Sequence, residues 1–138
     1  MVHILRMVRS KFHYQKFGPF HRPLIPITIQ HKKVKIDYLA LLDSGADFNI
    51  FHADLAEILG IDLSKLKTTA FGGIQKGREG VGHYSAFTLG IANHYFDAPV
   101  VFSNDISPDG YGILGQQGFF DHFKITFEHD KKLIWIKR

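Results

Sequence analysis

The chain contains no cysteine. That excludes disulfides and thiolate metal sites, and removes any need for an oxidising compartment. No apolar run reaches the roughly 18 residues that a membrane-spanning helix requires. The opening M-V-H-I-L-R-M-V-R-S has no apolar stretch of signal-peptide length, so a soluble cytoplasmic protein with no membrane partner is the default expectation. Nine histidines are scattered along the chain without an H-x₃-H pair or an H-E-x-x-H motif, which argues for ordinary histidines rather than a metal site. No cofactor is expected. Internal repeats and low-complexity segments are missing too.

Acid is missing from the first 33 residues. This stretch holds Arg6, Arg9, Lys11, Lys16, Arg22, Lys32 and Lys33, while all 13 acids lie beyond it. A basic arm of this kind can attract nucleic acid or an anionic surface. No nucleic-acid motif accompanies residues 1–33, so a solvated basic extension over residues 1–20, ahead of one domain at 21–138, is the simpler expectation.

What is present is enough for a core. Of the 138 residues 45% are hydrophobic, 13 of them Phe, as a single globular domain requires. Pro26 to Gln30 and Val34 to Leu42 read as two strands around a His31-Lys32-Lys33 turn. Leu55, Ile58 and Leu59 fall at helical spacing, with Gly60 beyond them, which predicts a short helix over 53–59. Residues 86–91 and 95–102 read as strands around an Ala-Asn-His turn, with Pro99 implying an edge or a bulge in the second. Ser107-Pro108-Asp109-Gly110 is a turn, so Asp109 is not expected to be a second catalytic acid. A short helix is expected over 115–123, then strands at 124–128 and 133–136. Val2 to Val8 is a further candidate strand.

The chemistry concentrates at Leu41 to Ile50, L-L-D-S-G-A-D-F-N-I. An apolar run delivers Asp43 to a turn of small residues, and an acid left beside such a run is costly unless its charge is used or satisfied. Ser44 adds a hydroxyl, and Gly45 allows close approach of another chain. Alone, D-S-G is also ordinary turn chemistry. Downstream stands Tyr-Gly-Ile-Leu-Gly at 111–115. The two motifs together, in this order, resemble the active-site loop and I-L-G hallmark of the retroviral-type (retropepsin-like) aspartic proteases, from about Pro23 to the C-terminus.

The resemblance implies an all-β, single-lobe acid-protease fold, a closed β-barrel with one or two short helices that acts as a homodimer. One D-S-G in a chain this short supplies half of an aspartate pair, so a second Asp43 must come from a second subunit. Asp43 would be the catalytic acid or base. Ser44 would tie the two loops together, and Gly45 would present backbone to the peptide. Ala46, Asp47, Ile50 and Ile113 would line the substrate site. The glycine-rich 68–84 segment would be the flap, with Gly72, Gly73 and Ile74 touching a peptide or protein substrate. Where many of these enzymes follow I-L-G with an Arg that braces the acid matching Asp47, this chain has Gln116 and Gln117; Arg22 or another N-terminal base is a candidate substitute. The competing expectation is a module of the same fold that holds a peptide or nucleic acid without cutting it.

Overall fold

The computed structural model describes residues 9–72 and 79–138. The candidate strand at Val2 to Val8 lies outside them. Strands dominate because β-branched and aromatic residues alternate with polar ones. In β4 (Leu24–His31) Ile25, Ile27 and Ile29 are buried between more exposed Pro26, Thr28 and Gln30. It pairs antiparallel with β5 (Val34–Leu42), from Leu24 opposite Leu41 to His31 opposite Val34. Lys32, at φ 53°, makes the tight turn.

The chain then forms β6 (Asn49–His52) and α1 (Ala53–Ile58). His52 Nδ1 accepts the Asp54 N–H and so caps the helix, and Gly60 at φ +75° follows its end. β7 (Lys67–Phe71), β8 (Gly80–Ile91) and β9 (His94–Ser103) come next. The β8–β9 hairpin turns at Ala92 and Asn93, both at positive φ, as a two-residue hairpin turn demands. β10 (Gly112–Leu114) is short, yet it slots between β5, which it parallels, and β6, which it opposes.

The ladder β4-β5-β10-β6-β9-β8 closes on itself through pairing of Thr28, Ile29 and Gln30 with Gly90, Leu89 and Thr88. A closed six-stranded barrel results, with no open edge among its members. β7 extends it beyond β8. The interior is filled by Ile25, Ile27, Ile29, Phe51, Leu89, Val100, Phe102, Leu114 and Phe119, with Leu55, Ala56 and Leu59 of the helix segment packed on it.

A second sheet covers the core. β12 (Leu133–Lys137) lies between β11 (Lys124–Glu128) and β1 (Arg9–His13), presenting Ile134 and Ile136 inward with Phe12 and Ile125 beside them. Residues 9–13 of the basic segment are therefore one strand of this sheet. A small hairpin of β2 (Gln15–Phe17) and β3 (Phe20–Arg22) turns at Gly18 and sets Phe17 edge-on to Tyr111.

Two local expectations differ from the structure. Residues 115–123 form consecutive turns rather than a helix. Gly118 sits at φ +91°, where a helix cannot continue. The Gln116 and Gln117 amides bond instead to the Ala46 and Asp47 carbonyls, and Asp121 Oδ1 accepts the Gly118 N–H. Phe119 and Phe123 are nonetheless buried. β9 is an interior strand and has no bulge at Pro99: it runs in unbroken register with β8, but its pairing with β6 begins one residue later, at Val100, so only the position of Pro99 itself is edge-like. The ring thus occupies the last position before the second partner arrives, where its missing N–H costs the ladder nothing.

Candidate active site

Asp43 emerges one residue past β5, half-buried at the end of a barrel strand. Its N–H donates to the Leu114 carbonyl at 3.0 Å, continuing the β5–β10 ladder, and its carbonyl accepts the Ala46 N–H at 3.1 Å. Its Oδ1 accepts the Gly45 N–H at 3.0 Å. Together these bonds close a tight Asx-type turn that fixes the carboxylate. A Cβ at position 45 would stand 3.2 Å from that oxygen, so glycine leaves the acid uncrowded. Ser44 and Gly45 are exposed, and Ala46 is half-buried.

The Gly-Ile-Leu-Gly segment holds this loop from behind. Gly115 packs so tightly that an added Cβ would fall 2.3 Å from the Phe48 carbonyl oxygen and 2.7 Å from that of Ala46. Gln116 N donates to Ala46 O at 2.8 Å and Gln117 N to Asp47 O at 2.9 Å, while Gln116 Nε2 reaches the Ser44 carbonyl at 2.7 Å. The glutamines therefore bind the acidic loop through neutral hydrogen bonds. Asp47 is exposed and joins no ion pair among the described residues, Arg22 included. Arg22 instead lies 5.6 Å from the Phe20 ring.

Sequence reasoning assigned Asn49 no role, yet it is the clamp of the site. It is fully buried. Its Oδ1 accepts the Gly115 N–H at 3.0 Å and its Nδ2 donates to the Pro99 carbonyl at 3.1 Å. One amide thus joins the acidic loop, the I-L-G turn and β9. The available signal was an amide two residues past Asp47, at the start of an apolar strand, where an unpartnered polar group would be expensive.

Ile50 and Ile113 are brought together as cross-strand partners. Both stand outside the interior cluster. Register extends them into an apolar row: Leu24, Leu41, Ile113, Ile50, Val101 and Tyr84 on β4, β5, β10, β6, β9 and β8. Leu41 and Asp43 are two residues apart on an extended chain, so the row shares the carboxylate's side of the sheet. Leu24, Leu41, Val101 and Tyr84 were not foreseen, because register, and not local sequence, aligns them.

On the same wall β7 and β8 converge towards 73–78. Gly72 is exposed at the end of β7; Gly73 and Ile74 lie outside the described residues. The base of this hairpin is pinned. Ser103, buried, donates through Oγ to the Val81 carbonyl at 2.6 Å. Asp105 Oδ2 accepts the Val81 N–H at 2.8 Å, and the Asp105 N–H returns to Ser103 Oγ at 2.9 Å. Among the described residues no three His, Asp or Glu side chains cluster as a metal would need.

Strand order and carboxylate position now define the comparison with known proteins. A retropepsin-like aspartic protease from Rickettsia conorii superposes with a TM-score of 0.66 over 95% of this chain and 92% of its own, at 19% identity. The EIAV protease, solved with an inhibitor, gives a TM-score of 0.54 over 73% of this chain and 88% of its own, also at 19% identity. The fold is retropepsin-like. No protein-family model and no curated protein matches the sequence. Within the retropepsin-like frame, Asp43 and Gly115 stand where the barrel brings the two motifs side by side, and neutral Gln116 supplies the contact behind the loop.

Proposed function

We propose that this protein is an aspartic endopeptidase working as a homodimer, with one Asp43 from each subunit. The single observation that carries the reading is the state of Asp43. Its carboxylate is fixed by the Gly45 N–H at the rim of an apolar row, and Oδ2 has no hydrogen-bond partner among the described residues. The similarity in fold to two proteases adds support.

Two such carboxylates a few ångströms apart repel one another when both are charged, so the chemistry runs with a single proton held between them. The ionised member takes a proton from a water as that water's oxygen attacks the scissile carbonyl. The protonated member donates to the carbonyl oxygen and stabilises the tetrahedral intermediate. The leaving nitrogen is then protonated as the C–N bond breaks. Ser44 ties the paired loops together, and Gly45, Ala46 and Asp47 present the backbone along which an extended peptide adds as a strand. Ile50 and Ile113 favour apolar side chains near the cut. Gly72, exposed at the end of β7, borders the substrate from the flap side.

The test is incubation with a diverse peptide library across pH 4–8, with and without a peptide-like aspartic-protease inhibitor. Asp43→Asn is expected to lower cleavage by at least about a hundredfold while leaving the circular-dichroism spectrum unchanged. A folded Asp43→Asn protein with full inhibitor-sensitive activity would overturn the assignment.

A further inference from the structure

The outer face of the β1-β12-β11 sheet carries a charge arrangement that the proposed peptidase site does not use. Register sets Arg9 opposite Lys137, and Lys137 opposite Lys124, three cations in one row across three strands. The next row is Lys11, Trp135 and Thr126. Like charges directly opposite one another in a sheet repel and destabilise it. No acid lies in either row. The nearest, Glu128, accepts a hydrogen bond from Trp135 Nε1 and pairs with Lys131. Those bonds and, to a lesser degree, Arg9 hold its carboxyl below the usual range, so it offsets part of the Arg9 charge, while Lys124 and Lys137 make no ion pair among the described residues.

The face is shaped as well as charged. Arg9, Lys124, Thr126, Glu128, Trp135 and Lys137 line a groove of about 230 Å³. The Arg9 guanidinium lies over the Trp135 ring, 3.7 Å from its centre, and Lys11 Nζ is 5.7 Å from it. Arg9, Lys11, Lys124, Thr126 and Lys137 are all exposed. Packing therefore does not explain the cations; the opposite faces of the same strands, with Phe12, Ile125, Ile134 and Ile136, do that work.

We propose that this sheet face binds single-stranded nucleic acid. Arg9, Lys11, Lys124 and Lys137 supply phosphate contacts along a path of about 10 Å, two strand spacings, and the stacked Arg9–Trp135 pair offers a planar surface on which an unpaired base can rest. This three-stranded face has no helix or projecting ribbon to enter a duplex groove, which favours a single strand over a duplex. The site is independent of hydrolysis at Asp43.

The experiment uses the full chain and a fluorescein-labelled 20-nucleotide single-stranded RNA, followed by anisotropy between 50 and 200 mM salt. Trp135 is the one tryptophan in the sequence, so its fluorescence reports contact directly. Binding is expected to quench it and to follow log salt with a slope of about −2 to −3, from roughly 0.7 per phosphate contact. Lys124→Gln/Lys137→Gln, both exposed, should weaken binding about tenfold and flatten the slope by about 1.4, with the thermal midpoint no lower than the parent's, since relieving the opposed charges cannot destabilise the sheet. The charge-matched Lys33→Gln/Lys65→Gln control should bind as the parent does. Equal loss in both double variants, binding without a change in Trp135 emission, equal affinity for duplex RNA, or capture by anionic vesicles but not RNA would each overturn the proposal.

Discussion

Asn49 shows how much a single side chain can organise. An amide has a donor and an acceptor on one rigid plane, and here each is satisfied by a backbone group of a different segment, Gly115 and Pro99. Asn49→Ala would leave the Gly115 N–H and the Pro99 carbonyl unpaired in a buried place and open a small cavity. The expected cost is about 2–4 kcal/mol of stability, measured by urea unfolding, with a larger proportional loss of peptidase rate because the Asp43 loop loses its backing. Asn49→Asp keeps the acceptor for Gly115 but removes the donor to Pro99 and buries a charge. It should therefore not rescue stability at neutral pH. A loss below about 0.5 kcal/mol for both variants would mean that the loop is held mainly by Gly115 and the glutamine amides.

At the scale of elements, the base of the β7–β8 hairpin is the segment whose movement the proposed reaction would need. Val81 is held on both sides, its carbonyl by Ser103 and its N–H by Asp105. Asp105→Ala frees the N–H while leaving the buried Ser103 in place. Amide exchange at Val81 should accelerate about tenfold, the equivalent of one hydrogen bond of about 1.4 kcal/mol, and the Michaelis constant should rise more than the turnover number falls. Unchanged exchange at Val81 would deny the pin any role. This latch was invisible in the sequence, since Ser103 and Asp105 read only as the approach to the Ser107–Gly110 turn. The β4–β5 hairpin and α1 were legible because alternation and helical spacing are local signals. The 115–123 segment misled for the opposite reason: its three Phe residues have helical spacing, but the amides of Gln116 and Gln117 are captured by Ala46 and Asp47 from a distant part of the chain. Asp43 could be found from its motif, whereas the apolar row beside it depends on five strand pairings that no local pattern encodes.

Across the whole molecule two effects can be separated, one of pH and one of assembly. Burial, then Arg138 and His122, hold the His94 pKa below its usual 6.5, and Arg138 Nη1 lies 2.8 Å from its Nε2. The unfolded chain then takes up a proton more readily than the folded one. Stability is therefore complete above pH 6.5 and declines as pH falls through that value, by no more than about 1 kcal/mol for so exposed a pair. His94→Gln should flatten the thermal midpoint between pH 7.5 and 5.5; an identical slope in the variant would assign the effect elsewhere. The assembly effect bears on the proposed chemistry itself. If each active site needs two Asp43 carboxylates, a chain carrying Asn at that position should poison its partner. When wild type and Asp43→Asn protein are mixed equally and allowed to exchange, only about one quarter of dimers contain two acids. Activity at fixed total protein should fall to about that fraction of the all-wild-type value, and activity per chain should drop steeply on dilution through the dimer dissociation constant. A chain that hydrolyses alone would instead retain about half in the mixture, independent of dilution, because each wild-type copy would keep its own complete site.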